Sequence, residues 1–204
     1  MCKEEMNDVV QYYDNIYLAK PDKWNEAKRD MFAYEQLREL VSHPVNMLDY
    51  GCGNGHTLEF FSSMWTTGKF TGIDISEVAL RLCRWNMPDG KFYTSLPDGE
   101  WNLITIMGVA EHFEDPSESL RLIGKRLSPG GFMYLEVPDC LAYSDTQDEG
   151  FRMTYDRADQ DEWHLTRESW ENIIRDAGLR IAQRIQGEHA AWEFIWILQR
   201  DERE

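Results

Sequence analysis

Asp49-Tyr50-Gly51-Cys52-Gly53-Asn54-Gly55 follows the apolar run Val45 to Leu48 directly and opens a helical pattern. A strand that runs through a glycine-rich turn into a helix points to a parallel α/β unit with a nucleotide-like ligand at the turn. Glycines remove the side chains that keep backbone N–H groups from a ligand, and they permit φ > 0 in a tight turn. The spacing is G-x-G-x-G, whereas a site that seats a pyrophosphate on a helix N-terminus wants G-x-G-x-x-G. Asp49, at the head of the turn, sets a carboxylate where a phosphate would be repelled and a positively charged ligand attracted.

Working outward, Thr71-Gly72-Ile73-Asp74-Ile75-Ser76 reads as the end of a second strand, with Asp74 lying 19 residues past Gly55. Asp98 to Ile106 followed by Met107-Gly108-Val109-Ala110-Glu111-His112-Phe113-Glu114-Asp115-Pro116 reads as a fourth strand and its loop. Leu127-Ser128-Pro129-Gly130-Gly131-Phe132-Met133-Tyr134 is a turn entering a fifth, and Trp163-His164-Leu165-Thr166 through Ala177-Gly178-Leu179 a late helix. In this order, over roughly residues 45 to 199, the segments resemble the class I S-adenosylmethionine-dependent methyltransferases. The small-molecule type, such as the ubiquinone-biosynthesis O-methyltransferases, is the similar branch. The resemblance implies a Rossmann-like methyltransferase fold, an enzyme, and S-adenosylmethionine as cofactor.

The elements agree with that fold. Val9, Tyr13, Ile16 and Tyr17 make one face of a short helix that Pro21 ends, and Trp24 to Val41 reads as a second helix stopped by His43-Pro44. Strands are expected at 45–50, 69–75, 91–95, 101–107, 132–137, 179–187 and 191–199, the last two as a hairpin around Glu188-His189-Ala190. Helices are expected near 54–66, at 77–86 with Ser76 as N-cap, from Asp115-Pro116-Ser117-Glu118, and at 167–177 from Thr166 to a stop at Gly178. The alternation implies an α/β, doubly wound, seven-stranded, mostly parallel sheet with N-terminal capping helices and one antiparallel strand at or near an edge. A single domain of 1–204 results: cap helices at 1–43, a cofactor-binding core at 44–137, an acceptor lid at 138–165, and a C-terminal helix and hairpin at 166–204.

Ligands of open α/β sheets bind outside the C-terminal strand ends at the switch point. With the resemblance, that rule gives residues roles. Asp49, Tyr50, Gly51, Cys52 and Gly53 form the floor and wall under the methionine part, and Asp74, followed by Ile75, holds the ribose hydroxyls. Thr94 and Ser95 flank the adenine where many family members carry an acid. Met107 and Gly108 close the pocket, and Tyr13, or its neighbour Tyr12, reaches the methionine end from the cap helix. Two histidines are placed to take a proton from an acceptor: His112 after the fourth strand and His164 before the late helix. The expected activity is methyl transfer to a small-molecule acceptor, an oxygen first. A small amine, or a non-catalytic partner protein that only binds S-adenosylmethionine, is the alternative. The 138–162 connection, with Tyr143, Phe151, Met153 and Tyr155, and Trp163 beside it, is long enough for a binding lid.

Composition excludes other classes. With 37 acids against 21 bases the formal net charge is −16, and no basic stripe is present to contact phosphates, so nucleic acid is not an expected partner. No stretch approaches the ~20 apolar residues of a membrane span. The N-terminus is acidic and lacks an apolar signal core, and Cys2, Cys52, Cys83 and Cys140 are scattered without a C-x-x-C pair. A cytoplasmic protein with reduced cysteines and no metal is expected. There is no Asn-Pro-Pro-Tyr after the fourth strand, where methyltransferases of planar nitrogens carry it, and the oligomeric state and the identity of the acceptor are not encoded in any motif.

Overall fold

The structure, a computed structural model, describes residues 3–23, 31–41, 45–139, 151–153, 162–185 and 193–201, with the backbone alone for 3–6, 31–35, 151–153 and 164. The first part of the expected second helix, most of the 138–162 connection, the hairpin turn at 188–190, Cys2, His43 and Cys140 lie outside the described residues. In chain order the elements are α1 Lys3–Ala19, α2 Met31–Leu40, β1 Asn46–Tyr50, α3 His56–Met64, β2 Lys69–Ile73, α4 Glu77–Asn86, β3 Lys91–Tyr93 and β4 Trp101–Met107. A 3-10 turn at Ala110–His112 follows, then α5 Pro116–Gly124, β5 Leu127–Pro138, β6 Phe151–Met153, β7 Glu162–His164, α6 Arg167–Asp176, β8 Leu179–Ile185 and β9 Glu193–Arg200.

Among the described residues, seven strands form one sheet in the order β3-β2-β1-β4-β5-β9-β8, and β6 pairs with β7 in a separate ribbon. The pairs β1–β2, β2–β3, β1–β4 and β4–β5 are parallel, while β9 runs antiparallel to both β5 and β8. The chain therefore builds outward from β1 to β3 and then returns to the other side of β1 with β4. That reversal leaves a crevice at the C-terminal ends of β1 and β4, where no crossover helix lies over the sheet edge.

Strand side chains alternate between two cores. Leu48, Ile104, Ile106, Leu135, Trp170 and Trp196 belong to the face covered by α5 and α6. Met47, Leu103, Tyr134, Ile195, Leu58 and Phe61 belong to the face covered by α2 and α3. Burial on both faces explains the near-continuous apolar runs of the central strands. Trp65 stacks on Phe61 with ring centroids 5.2 Å apart, and Trp170 and Trp196 are fully buried, so these large rings serve the cores.

The capping chemistry works as the residue types require. Ser76 accepts from Ala79 N, Asp115 from Glu118 N with Pro116 at the first helical positions, and Thr166 from Ser169 N. The Glu118 carboxylate pairs with Arg121 on the helix surface. Leu165 and Trp170 meet in the same core cluster as a hydrophobic staple, and Gly178, at φ +73, ends α6. β5 begins at Leu127, earlier than the expected 132, because Leu127 pairs with Trp101 before the register shifts around Gly130 and Gly131. β6 lies inside the 138–162 connection and β7 begins at its last residue, and three-residue strands are too short to declare themselves by alternation.

Candidate functional site

The glycine turn is tied down by the strand beside it. Gly51 N and Cys52 N donate to Ile73 O at 2.7 and 2.8 Å, and Gly53 N donates to Asp74 Oδ2 at 2.9 Å. Asp74 Oδ1 accepts from Ser76 N at 2.9 Å, so this carboxylate joins the turn after β1 to the start of α4. Gly51, Gly53 and Gly55 have φ of +79, +55 and +85, values that only glycine adopts at little cost. A Cβ on Gly51 would overlap Val109 Cγ2 from the loop after β4, and one on Gly53 would stand 2.5 Å from the Tyr17 hydroxyl. The turn is thus a cradle walled by β4's loop on one side and by α1 on the other.

Asp49 is fully buried at the end of β1 and accepts a hydrogen bond from Thr105 Oγ1 on β4 at 2.7 Å. Its strand register places it between Gly72 and Thr105. Tyr50 is half-buried with its ring edge-on to Phe113, centroids 5.7 Å apart, and burial pushes its hydroxyl pKa up. Ile75 is 42 % exposed just past Asp74, and Thr94 and Ser95 are exposed after β3, on the same side of the sheet end. Met107 is buried in the core, whereas Gly108, at φ +60, is exposed, and Gly108 N donates to Glu136 O at 3.0 Å.

One expectation is corrected. Cys52 does not form a ligand wall with its side chain: it is 2 % exposed, and its sulfur lies 4.0 Å from Cys83 Sγ in the core. Burial raises its thiol pKa, with Cys83 adding to the shift, and the pair is apolar filling in this core. Of the α1 tyrosines, Tyr17 meets the turn itself, and Tyr13 stands close enough to raise the Tyr17 hydroxyl pKa. The Tyr13 ring packs edge-on to Tyr12, while Tyr17, one helical turn later, brings its hydroxyl to Gly53 and is 6 % exposed. Burial, and then the Asp74 charge, push the Tyr17 hydroxyl pKa up strongly, so it remains a neutral donor.

Asp14 was also not singled out from the sequence. Its Oδ1 accepts from Ser76 Oγ at 2.5 Å and Val78 N at 3.2 Å, placing a second acid at the N-terminus of α4 and latching α1 over the crevice. Asn54 Nδ2 donates to Pro21 O at 2.6 Å, fastening the end of α1 to the glycine turn. Tyr13, Asp14 and Tyr17 lie within about one turn of α1, but no local rule says which of them meets a partner distant in sequence.

At the end of β4, His112 is about a third exposed on the 3-10 turn, with Nε2 3.8 Å from Glu111 Oε1. Glu111 is 3 % exposed and its Oε2 has no hydrogen-bond partner among the described residues. Burial is the main cause that raises its carboxyl pKa from 4.5 to about 7; His112 pulls it down, while Glu162 and Glu136 push it up. The β7 strand closes over this turn through Trp163 Nε1, which donates to Phe113 O at 2.8 Å. His164 ends β7 opposite Phe151, so the ribbon carries it toward the same end of the sheet; its side chain lies outside the described residues. Among the described residues no group of three His, Cys, Asp or Glu side chains is arranged to hold a metal ion, and no helix is long and apolar enough to cross a membrane.

Glu111 makes stability depend on pH. Its folded pKa lies above the unfolded one, so its contribution is fully present below pH 4.5 and is lost as pH rises through about 7. For a buried group the difference is worth about 3 kcal/mol. Urea unfolding from pH 4.5 to 8.5 should show Glu111→Gln equal to the parent at the acid end and more stable by up to about 3 kcal/mol at the basic end. Parallel curves at all pH values would mean that Glu111 is solvated.

A family model described as a methyltransferase domain matches residues 18–184. Among curated proteins, trans-aconitate 2-methyltransferase of Afipia carboxidovorans is 26% identical over 130 residues, 61% of this chain and 49% of that protein. Ubiquinone biosynthesis O-methyltransferase of Thiobacillus denitrificans is 28% identical over 102 residues, 45% of this chain and 43% of that protein. The chain spans about half the length of these curated relatives, or less. The crystal structure of an S-adenosylmethionine-dependent methyltransferase from Clostridium acetobutylicum superposes with a TM-score of 0.69 at 14% identity, over 93% of this chain and 98% of that one. At that identity the likeness establishes the fold.

Proposed function

The chain belongs to the methyltransferase domain family, and from that premise we propose that it transfers a methyl group from S-adenosylmethionine to a small-molecule acceptor. The observation that carries the reading is the glycine cradle closed onto Asp74, with Asp49 behind it and α1 across it. The donor set fits the cofactor: carboxylates suit its ammonium and ribose hydroxyls, a backbone bared by glycine suits close approach, and the exposed Ile75 offers an apolar ledge for a flat base. Asp74 is the residue to hold the ribose, Asp49 and the Gly51–Gly53 backbone the methionine part, and Thr94 and Ser95 the edge of the adenine. Tyr17, with Tyr13 next to it on α1, is the tyrosine beside the turn. When bound, S-adenosylmethionine would supply an electrophilic methyl group on a sulfonium, a leaving group able to keep the electron pair of the C–S bond.

The chain's own contribution is alignment and a place for the acceptor's proton. Holding the acceptor against the methyl group is worth about 7 to 11 kcal/mol in well-oriented systems. His112, at the mouth of β4 with Glu111 beside it, is the group to receive a proton from the acceptor, and His164, at the end of β7, is the other candidate. A hydroxyl oxygen is the acceptor atom that the family resemblance favours. The carboxylates gathered at the end of β4 favour a nitrogen instead, and this feature of the chain's own site outweighs the resemblance.

Asp74→Ala should weaken binding of S-adenosylhomocysteine by about 1.5 to 3 kcal/mol in calorimetric titration, the usual worth of hydrogen bonds to a charged group. Asp74→Asn should recover part of the loss, because the amide oxygen can still accept from Gly53 N. Unchanged affinity in the alanine variant would remove Asp74 from the site, and the absence of binding by the parent protein would remove the cofactor reading.

A further inference from the structure

Resting on the methyl-transfer reading, we propose that the acceptor is a small protonated amine whose ammonium group is received by the Glu111 carboxylate at the end of β4, with Glu136 and Glu162 as a negative surround. Glu111 is 3 % exposed, yet its Oε2 has no hydrogen-bond partner among the described residues. A buried polar atom in that condition is costly, and native structures keep few of them without a use. Its other oxygen borders a clearing. A Cβ built on the exposed Gly108 would meet, among the described residues, only Glu111 Oε1, at 3.7 Å. That clearing stands where β4 leaves the sheet, beside the loop whose Val109 walls the glycine cradle.

The surroundings select the charge of the occupant. The groups that bear on Glu111 are His112 on its own turn, Glu136 from β5 and Glu162 from β7. Glu136 is itself buried and accepts from the Tyr134 hydroxyl at 2.9 Å. A carboxylate or phosphate acceptor would meet like charge from three elements. A neutral alcohol offers one donor and no charge to offset the burial of Glu111. An ammonium offers three donors and a positive charge, and charge-assisted hydrogen bonds are about twice as strong as neutral ones. The formal net charge of −16 adds long-range attraction for a cation. Because the Glu111 carboxyl titrates at about 7, an amine should bind more tightly at pH 8 than at pH 6, as the carboxylate forms.

The proton balance follows from the pair. An ammonium has no lone pair, so one proton must leave before reaction, and it passes to Nε2 of His112, where the adjacent Glu111 carboxylate stabilises the imidazolium. The freed nitrogen lone pair would then form the N–C bond as the methyl group's C–S bond breaks with its electron pair left on sulfur, giving a methylated ammonium and S-adenosylhomocysteine. Imidazolium returns its proton to water.

The test uses the full chain saturated with S-adenosylhomocysteine. Two isosteric sets, benzylamine with benzyl alcohol and benzoate, and butylamine with butanol and butyrate, are titrated by ligand-observed NMR at pH 6 and 8. In parallel, transfer of labelled methyl from S-adenosylmethionine to each is followed. In the parent protein at least one amine should bind about tenfold more tightly than its alcohol isostere, on the scale of one charge-assisted hydrogen bond. The advantage should be larger at pH 8 and lost in Glu111→Gln, with S-adenosylhomocysteine affinity unchanged. Should that variant fail to fold, Glu162→Gln should reduce the advantage by about threefold, as a screened charge at the rim does. An alcohol or carboxylate bound or methylated as well as its amine, or no advantage for either amine at either pH, overturns the amine assignment. In those cases S-adenosylhomocysteine binding by the parent protein keeps the methyl-transfer reading, and its absence removes both.

Discussion

Gly53→Val should abolish binding of S-adenosylhomocysteine while the sheet remains folded. Residue 53 sits at φ +55, a region that costs an L-residue about 1 to 2 kcal/mol and a β-branched one more. The new Cβ would stand 2.5 Å from the Tyr17 hydroxyl. Tyr17 lies at the end of a flexible side chain and can swing aside, but doing so unloads α1 from the turn. The backbone cannot flip to a negative φ without breaking the bond from Gly53 N to Asp74 Oδ2. Strain, displacement of α1 and loss of the Asp74 bond act together, so affinity should fall by more than about 100-fold, roughly 3 kcal/mol. Gly53→Ala combined with Tyr17→Phe, which removes the clashing hydroxyl, should bind more tightly than Gly53→Ala alone. A normal titration of the valine variant would mean that the turn is not the ligand floor.

Parts of the molecule governed by local chemistry were legible from residue types. Ser76, Asp115 and Thr166 cap the helices they precede because a side-chain oxygen three residues ahead of a free N–H is a local fact. The strand into the glycine turn, the 101–107 strand and the edgeward antiparallel β9 follow from period, punctuation and the rule that crossovers are right-handed. What stayed hidden was set by tertiary approach. Tyr13 and Tyr17 share one helix face, and only the docking of α1 through Asp14 onto Ser76 decides that Tyr17 reaches Gly53. Cys52 sits between two turn glycines, but the left-handed backbone on either side rotates its side chain inward to Cys83. Glu111 reads as one acid among 37, and its importance comes from the burial that β5 and β7 impose on it.

His112→Ala is expected to lower kcat at pH 7 by about 10² to 10⁴, the usual worth of a positioned general base, with S-adenosylhomocysteine affinity nearly unchanged. The histidine is a third exposed on the 3-10 turn after β4, whereas Asp74 and the glycine turn are the residues assigned to the cofactor, so its loss should leave those contacts intact. The measurement uses the acceptor that the amine and alcohol sets return. A role in proton removal has a signature that a packing role lacks. As pH approaches the acceptor's own pKa, about 10 for a Lys-like amine, the acceptor arrives deprotonated and the base becomes unnecessary. The variant's rate should therefore climb steeply between pH 7 and 9.5 and converge on that of the parent, within the range where the fold survives. His164→Ala is the comparison. If it loses activity at pH 7 while His112→Ala keeps it, the proton goes to the β7 ribbon; if both stay active, alignment alone carries the reaction. A constant deficit of His112→Ala at every pH would assign the residue to positioning the 3-10 turn, because a displaced acceptor is not repaired by removing its proton.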